Sequence, residues 1–78
     1  MLFDNPSYDK SIVGYTDNGN VVYNYDKMVR EFVEENNVDE IESMEFIDYN
    51  TMRALPYFSG EKHPIVIYSI PEEYRLVL

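Results

Sequence analysis

Residues 31–52 read EFVEENNVDEIESMEFIDYNTM, and this stretch decides the fold because apolar residues recur in it at helical spacing. The central Asn36-Asn37 pair favours the left-handed backbone conformation that ends a helix. Asp39 and Glu42 follow with the spacing of an acidic capping box, in which the first residue accepts a hydrogen bond from a free backbone amide. The stretch therefore predicts two helices that meet at residues 36–39.

The apolar residues around this junction predict which face of each helix is buried. In the first helix they are Met28, Val29, Phe32 and Val33, and Asp26 is the expected N-terminal cap. The second helix carries a longer stripe that is expected to face the core: Ile41, Met44, Ile47, Thr51, Met52 and Leu55. Pro56 limits how far this helix extends.

Strand-like segments flank the two helices. Residues 12–15 and 21–25 are rich in β-branched and aromatic residues, and Asn18-Gly19 between them predicts a hairpin. Residues 65–70 read IVIYSI and predict a third strand, either central in the sheet or beside the hairpin. The order ββααβ predicts an α+β fold, a single small domain in which two helices pack on a three-stranded, mainly antiparallel sheet.

The ends of the chain are expected to lie outside this domain. Residues 1–10 are polar and carry a turn signal, so we expect a mobile or loosely docked N-terminal arm. The α+β domain itself is expected to cover residues 11–71. Residues 72–78 form an amphipathic C-terminal tail that we expect to dock through Leu76 and Leu78.

Composition excludes several classes of function. The 78 residues carry fifteen acids against six Lys and Arg, a net charge of −9, which opposes direct binding to nucleic acid or to anionic lipid. Cysteine is absent, which fits a reducing cytoplasm. No apolar run approaches the roughly 20 residues of a membrane span, and the first residues lack the pattern of a signal peptide. We therefore expect a cytoplasmic protein.

The acids are concentrated in the helical stretch. Eight of the fifteen lie between Glu31 and Met52, where there is no Lys, Arg or His. Like charges three or four residues apart destabilise a helix slightly, and acids near a helix C-terminus oppose its dipole. Either these acids form a solvated face, or they form a surface for a basic partner. The candidate partner-binding acids are Glu31, Glu34, Glu35, Glu42, Glu45 and Asp48.

Two hairpin tyrosines are further candidates. Tyr23 and Tyr25 share one face of the predicted strand, and tyrosine is enriched at protein interfaces because it combines a large contact area with a polar tip. If this face points away from the helices, the two rings form an aromatic patch for a protein partner. If it points towards them, the rings belong to the core.

The sequence offers no enzymatic motif. His63 is the only histidine, so a site with several histidine ligands is excluded. The residues around Gly19 do not fit a calcium-binding loop, and neither a glycine-rich phosphate loop nor a nucleophile motif is present. We therefore expect no catalytic activity, no cofactor and no metal.

Residues 45–57, EFIDYNTMRALPY, resemble a segment of small acidic proteins of unassigned function in bacterial and phage genomes. In those proteins a hairpin ending in Tyr-Asp, here Tyr25-Asp26, precedes the helices, and a strand rich in Ile and Val follows. The resemblance covers roughly residues 12–70 and implies a compact α+β domain without catalytic residues. In its general character the chain is also similar to phage anti-CRISPR proteins, which block a nuclease by occupying its nucleic-acid-binding or PAM-reading surface.

Two functions remain open at this stage. The first is a protein-binding inhibitor whose acidic face occupies a basic surface of a CRISPR nuclease or another nucleic-acid-binding protein, in its strongest form as a nucleic-acid mimic. The second is a small regulatory or housekeeping domain that acts through hydrophobic contacts or self-association, with the acids serving only solubility. The expected assembly state is a monomer or a weak homodimer.

Overall fold

The computed structural model describes residues 2–3, 6–57 and 63–70. Their regular elements follow the predicted order ββααβ and form a small α+β domain. The strands and main helices are β1 (Ile12–Tyr15), β2 (Val21–Asn24), α1 (Tyr25–Asn36), α2 (Glu40–Phe46) and β3 (Ile65–Ile67). Shorter elements are the 3-10 turns Asp9–Ser11 and Leu55–Tyr57 and a π-helical segment, Ile47–Met52, that continues α2.

The three strands form one sheet in the order β1-β2-β3. β1 pairs antiparallel with β2, whereas β3 pairs parallel to β2, so the sheet is mixed where we expected a mainly antiparallel one. The connection permits this parallel pairing, because parallel strands require a long crossover and both helices lie between β2 and β3. β3 is therefore beside the hairpin, and β2 takes the central position.

A five-residue turn, Thr16 to Asn20, joins the hairpin strands. The backbone amide of Thr16 donates to the carbonyl of Asn20 at 2.8 Å, and that of Gly19 donates to the carbonyl of Thr16 at 2.9 Å. Gly19 has φ of 90°, a positive value that glycine adopts without steric cost. The hairpin predicted from Asn18-Gly19 is thus present, and glycine supplies its positive φ.

Helix α1 begins earlier in the chain than the sequence suggested. Its cap is Asn24, whose Oδ1 accepts a hydrogen bond from the Lys27 amide at 3.0 Å, and the predicted cap Asp26 lies in the first turn. Tyr25 accordingly belongs to the helix and not to the strand. At the other end, Asn37 has φ of 53° and stops the helix as predicted.

Helix α2 begins at the predicted cap but buries a different face. The Asp39 carboxylate accepts from the Glu42 amide at 2.8 Å. Ser43 is fully buried, and its hydroxyl donates to the Val29 carbonyl of α1 at 2.8 Å. Ile41 is 69% exposed, so the predicted apolar stripe is wrong in this first part of the helix. Its later positions, Ile47 and Thr51, are buried.

The core receives residues from the N-terminal arm as well as from the helices. Phe3 and Tyr8 are buried, and their rings contact each other edge to face at 5.8 Å between centroids. Phe3 also contacts the ring of Tyr23, whose hydroxyl accepts from the Phe3 amide at 3.1 Å. The described part of the arm is therefore packed, contrary to the loosely docked arm that we expected. The remaining core residues are Tyr25, Met28, Val29, Phe32 and Ile47.

The expected docking of residues 72–78 lies outside the described residues. Within the described ranges, none of the helices has the length and apolar character needed to cross a membrane.

Candidate functional site

An open concavity of about 800 Å³ lies on the surface formed by α2 and the π-helical segment. Three exposed carboxylates, those of Glu42, Glu45 and Asp48, line it. The other lining residues are Phe46, Tyr49 and Arg53. We call this surface the acidic concavity. It combines negative charge with aromatic area.

Asp48 is oriented by a residue of the core. The hydroxyl of Tyr25 donates to Asp48 Oδ1 at 2.7 Å. The Tyr25 ring is held in turn by Tyr68, with ring centroids 4.8 Å apart. Burial first, and then the hydrogen bond and negative charge of Asp48, raise the pKa of Tyr25 above its ordinary value of 10.0. Tyr25 therefore remains protonated and keeps donating at neutral pH.

Asp48 and Tyr49 lie in the π-helical segment, and Arg53 follows it directly. The side-chain amide of Asn50 donates to the Phe46 carbonyl at 3.1 Å. At the end of the segment, the Arg53 amide donates to the Asp48 carbonyl at 3.3 Å, which spans five residues. Such wide turns are rare and occur frequently at functional sites. Here the wide turn sets the spacing between Asp48, Tyr49 and Arg53.

Aromatic contacts define the rest of the concavity. Phe46 stacks on Phe32 of α1 with ring centroids 4.4 Å apart, so its position is fixed by the core. Tyr49 is 67% exposed. The Arg53 guanidinium lies over the Tyr49 ring, 4.9 Å from its centroid, a cation–π contact. This surface thus already binds one guanidinium, contributed by its own chain.

The structure brings together only some of the acids that the sequence suggested. Glu42, Glu45 and Asp48 line one concavity. Glu34 and Glu35 are exposed on α1 and are not among its lining residues. The predicted face of residues 31–48 is therefore divided between two helices.

Glu31 does not belong to an exposed face. Its side chain is only 6% exposed, and Oε1 accepts a hydrogen bond from the hydroxyl of Ser11 at 2.8 Å. Ser11 is itself fully buried. Glu31 is buried because of its position in the helical period. It lies three residues after Met28 and one before Phe32, which places it next to the core-facing side of α1. Glu31 joins the 3-10 turn Asp9–Ser11 to the helix.

The two hairpin tyrosines face the core, which is one of the two alternatives left open by the sequence. Tyr23 has no exposed surface, and Tyr25 is 5% exposed. Neither ring is available as an aromatic patch for a partner. Tyr25 contributes indirectly, because its hydroxyl orients Asp48.

Sequence reasoning did not select Phe46, Tyr49 or Arg53 as site residues. Tyr49 and Arg53 are four residues apart, and side chains at this spacing meet on a helix. This spacing could have identified the two residues as neighbours in a site. No local pattern could have identified Phe46, because its position depends on stacking against Phe32 of the other helix.

The described residues contain no group of three or more His, Asp or Glu side chains placed to hold a metal ion. In comparisons with known proteins, no family model, curated protein or solved structure matches the chain.

Proposed function

We propose that the chain is a protein-binding module whose acidic concavity holds an arginine-containing, basic segment of another protein. The observation that supports this proposal is the grouping of Glu42, Glu45 and Asp48 around the exposed Tyr49. Carboxylates accept hydrogen bonds from guanidinium groups, and an aromatic face attracts them. The surface therefore offers both of the interactions that bind arginine.

The internal contact of Arg53 with Tyr49 supports arginine as the recognised group. A guanidinium 4.9 Å from the ring centroid occupies the position that a partner's arginine would take. At an exposed site such a contact contributes about 0.5–1 kcal/mol, so a partner with several cations could displace Arg53 at small cost. Arg53 would then also be free to leave the concavity.

The charge of the whole chain favours the same class of partner. A net charge of −9 accelerates encounter with a basic surface and makes the affinity dependent on salt. Proteins bind nucleic acid through basic surfaces of this kind. The most concrete form of the proposal is an inhibitor that occupies such a surface, as phage anti-CRISPR proteins do on a nuclease.

The test compares wild type with the variant Glu42→Gln/Glu45→Gln/Asp48→Asn. The amide introduced in place of the Asp48 carboxylate retains an oxygen that can accept from Tyr25, so the variant removes charge with little change in packing. The matched control is Glu34→Gln/Glu35→Gln/Glu40→Gln, which removes the same charge from exposed positions that do not line the concavity.

Each protein would be immobilised and exposed to a nuclease-treated lysate containing a CRISPR effector, then washed at rising salt. We expect wild type and the control to retain one basic nucleic-acid-binding protein that is released by salt, and the concavity variant to lose it. Equal retention by all three proteins would overturn the proposed site. Retention of no basic protein would overturn the function and leave the acids as a solubility feature.

A further inference from the structure

Arg53 occupies part of the acidic concavity of its own chain. Its guanidinium lies over one face of the Tyr49 ring, 4.9 Å from the centroid, and it lines the concavity together with three carboxylates. One positive side chain thus covers a face of the exposed ring and offsets part of the negative charge. These are the two features on which the proposed function depends.

The backbone of Arg53 is held by hydrogen bonds, whereas its side chain is on the surface. The Arg53 amide donates to the Asp48 carbonyl at 3.3 Å, and the next amide, that of Ala54, donates to the Thr51 carbonyl at 3.2 Å. Arg53 itself is exposed, and exposed side chains change rotamer within nanoseconds. The contact with Tyr49 therefore opens and closes by rotation of one side chain, without a change in the fold.

The strength of this contact sets how often the ring is bare. Tyr49 and Arg53 are four residues apart, so their side chains meet without any rearrangement of the backbone. A cation–π contact at an exposed site is weak, and its usual strength corresponds to about two to five molecules with the contact for each molecule without it. The ring face is therefore free in about a sixth to a third of the molecules.

We infer that Arg53 is an internal competitor that occupies the arginine position of the acidic concavity and lowers its affinity for a partner. This inference rests on the proposed function and adds a regulation of the same site. A partner's arginine has to displace a side chain of its own chemistry, so the apparent Kd rises by the reciprocal of the fraction of molecules in which the ring is bare. Removal of the competitor should tighten binding by about threefold to sixfold.

Such a competitor selects for partners that carry several cations. A ligand with a single arginine exchanges one guanidinium contact at Tyr49 for an equal one, and gains little. The carboxylates of Glu42, Glu45 and Asp48 carry more charge than one guanidinium neutralises, so the further cations of a basic segment are still attracted. Arg53 therefore discriminates against isolated arginines and in favour of arginine-rich segments.

The decisive variant is Arg53→Gln, which removes the guanidinium and keeps a polar side chain that suits a helix. The matched control is Arg30→Gln, which makes the same change in net charge at an exposed arginine of α1 that is not among the lining residues of the concavity. Both substitutions are also made in a Tyr49→Leu background. Residues that act through one shared contact show non-additive effects, so this background tests whether Arg53 acts through the ring.

NMR titration with an amidated tetra-arginine peptide would measure Kd from the shifts of the concavity resonances. We expect Arg53→Gln to bind the peptide at least about threefold more tightly than Arg30→Gln does. The gain from Arg53→Gln should be about three to six times larger with Tyr49 than with leucine in its place, because only the ring offers the contact that is relieved. The δ protons of Arg53 adjoin the guanidinium over the ring, so their ring-current shift should disappear as the peptide binds to wild type.

Two results would overturn the inference while the proposed function stands, both with a peptide that shifts the concavity resonances of wild type. One is an Arg53→Gln variant that binds no more tightly than Arg30→Gln. The other is an equal gain in the Tyr49→Leu background, since the effect would then come from local charge and not from competition for the ring. A peptide that shifts no concavity resonance in wild type or in Arg53→Gln would overturn the proposed function, and the inference with it.

Discussion

The hydroxyl of Tyr25 donates a 2.7 Å hydrogen bond to Oδ1 of Asp48, and this bond connects the start of α1 with the start of the π-helical segment. Tyr25 is buried in the core, whereas Asp48 is exposed in the acidic concavity. The bond therefore holds the Asp48 carboxylate, one of the three that we propose as the binding site, in place against the core.

Replacing Tyr25 by Phe should lower the free energy of unfolding by about 1–2 kcal/mol, because the ring remains packed while its hydrogen bond to a carboxylate is lost. Urea denaturation would measure the change. Tyr49→Phe is the control, since it removes a hydroxyl from a ring that is 67% exposed, and it should change stability by less than about 0.5 kcal/mol. Equal effects of the two variants would contradict the role of the Tyr25 hydroxyl.

Alkaline pH should destabilise the protein through its buried tyrosines. Burial is the main cause that raises the pKa of Tyr8, Tyr23 and Tyr25 above the value of 10.0 that they have when unfolded. Above that value the folded state binds more protons than the unfolded state. The contribution of these tyrosines to the free energy of unfolding should therefore be constant up to about pH 9 and should fall above it, by at most about 1.4 kcal/mol per pH unit for each tyrosine.

Denaturation in urea at a series of pH values would test this dependence. Tyr25→Phe should make the decline above pH 10 shallower, because one of the three contributing groups is removed. An unfolding free energy of wild type that does not decline above pH 10 would contradict the expectation.

The contact between α1 and α2 should depend on Ser43. Ser43→Ala removes the donor to the Val29 carbonyl from a fully buried position and should cost about 1–3 kcal/mol of stability. Ile41→Ala removes a larger apolar side chain, but one that is 69% exposed, so its cost should remain below about 1 kcal/mol. Thermal unfolding of both variants would measure these changes, and the reverse ranking would show that α2 buries the face predicted from the sequence.

We expect Glu31 to contribute to the stability of the fold and not to the binding of a partner. Ser11→Ala leaves the buried Glu31 carboxylate without its 2.8 Å donor and should destabilise the protein by about 1–3 kcal/mol. Glu31→Gln keeps an acceptor and should leave the affinity for a basic partner unchanged relative to Glu34→Gln, which removes the same charge from the exposed part of α1. A selective loss of affinity in Glu31→Gln, measured by calorimetry on folded protein, would contradict the buried placement.

Local sequence signals determined the elements of this protein. The hairpin at Gly19, the helix stop at Asn37 and the cap at Asp39 were all predicted correctly, because each depends on the backbone preference or side-chain reach of a residue near its own position. The order ββααβ then limited the architecture to a small α+β domain with the helices between the second and third strands.

Only the tertiary structure decided which faces are buried and which residues share a site. The Ser43 hydroxyl binds a carbonyl of the neighbouring helix, which rotates α2 and exposes Ile41. Glu31 is buried because Ser11, twenty residues earlier, provides its hydrogen-bond donor. Phe46 joins the concavity because Phe32 holds its ring. Such pairings connect residues far apart in the chain, and the periodicity of one helix contains no information about the partner that another segment supplies.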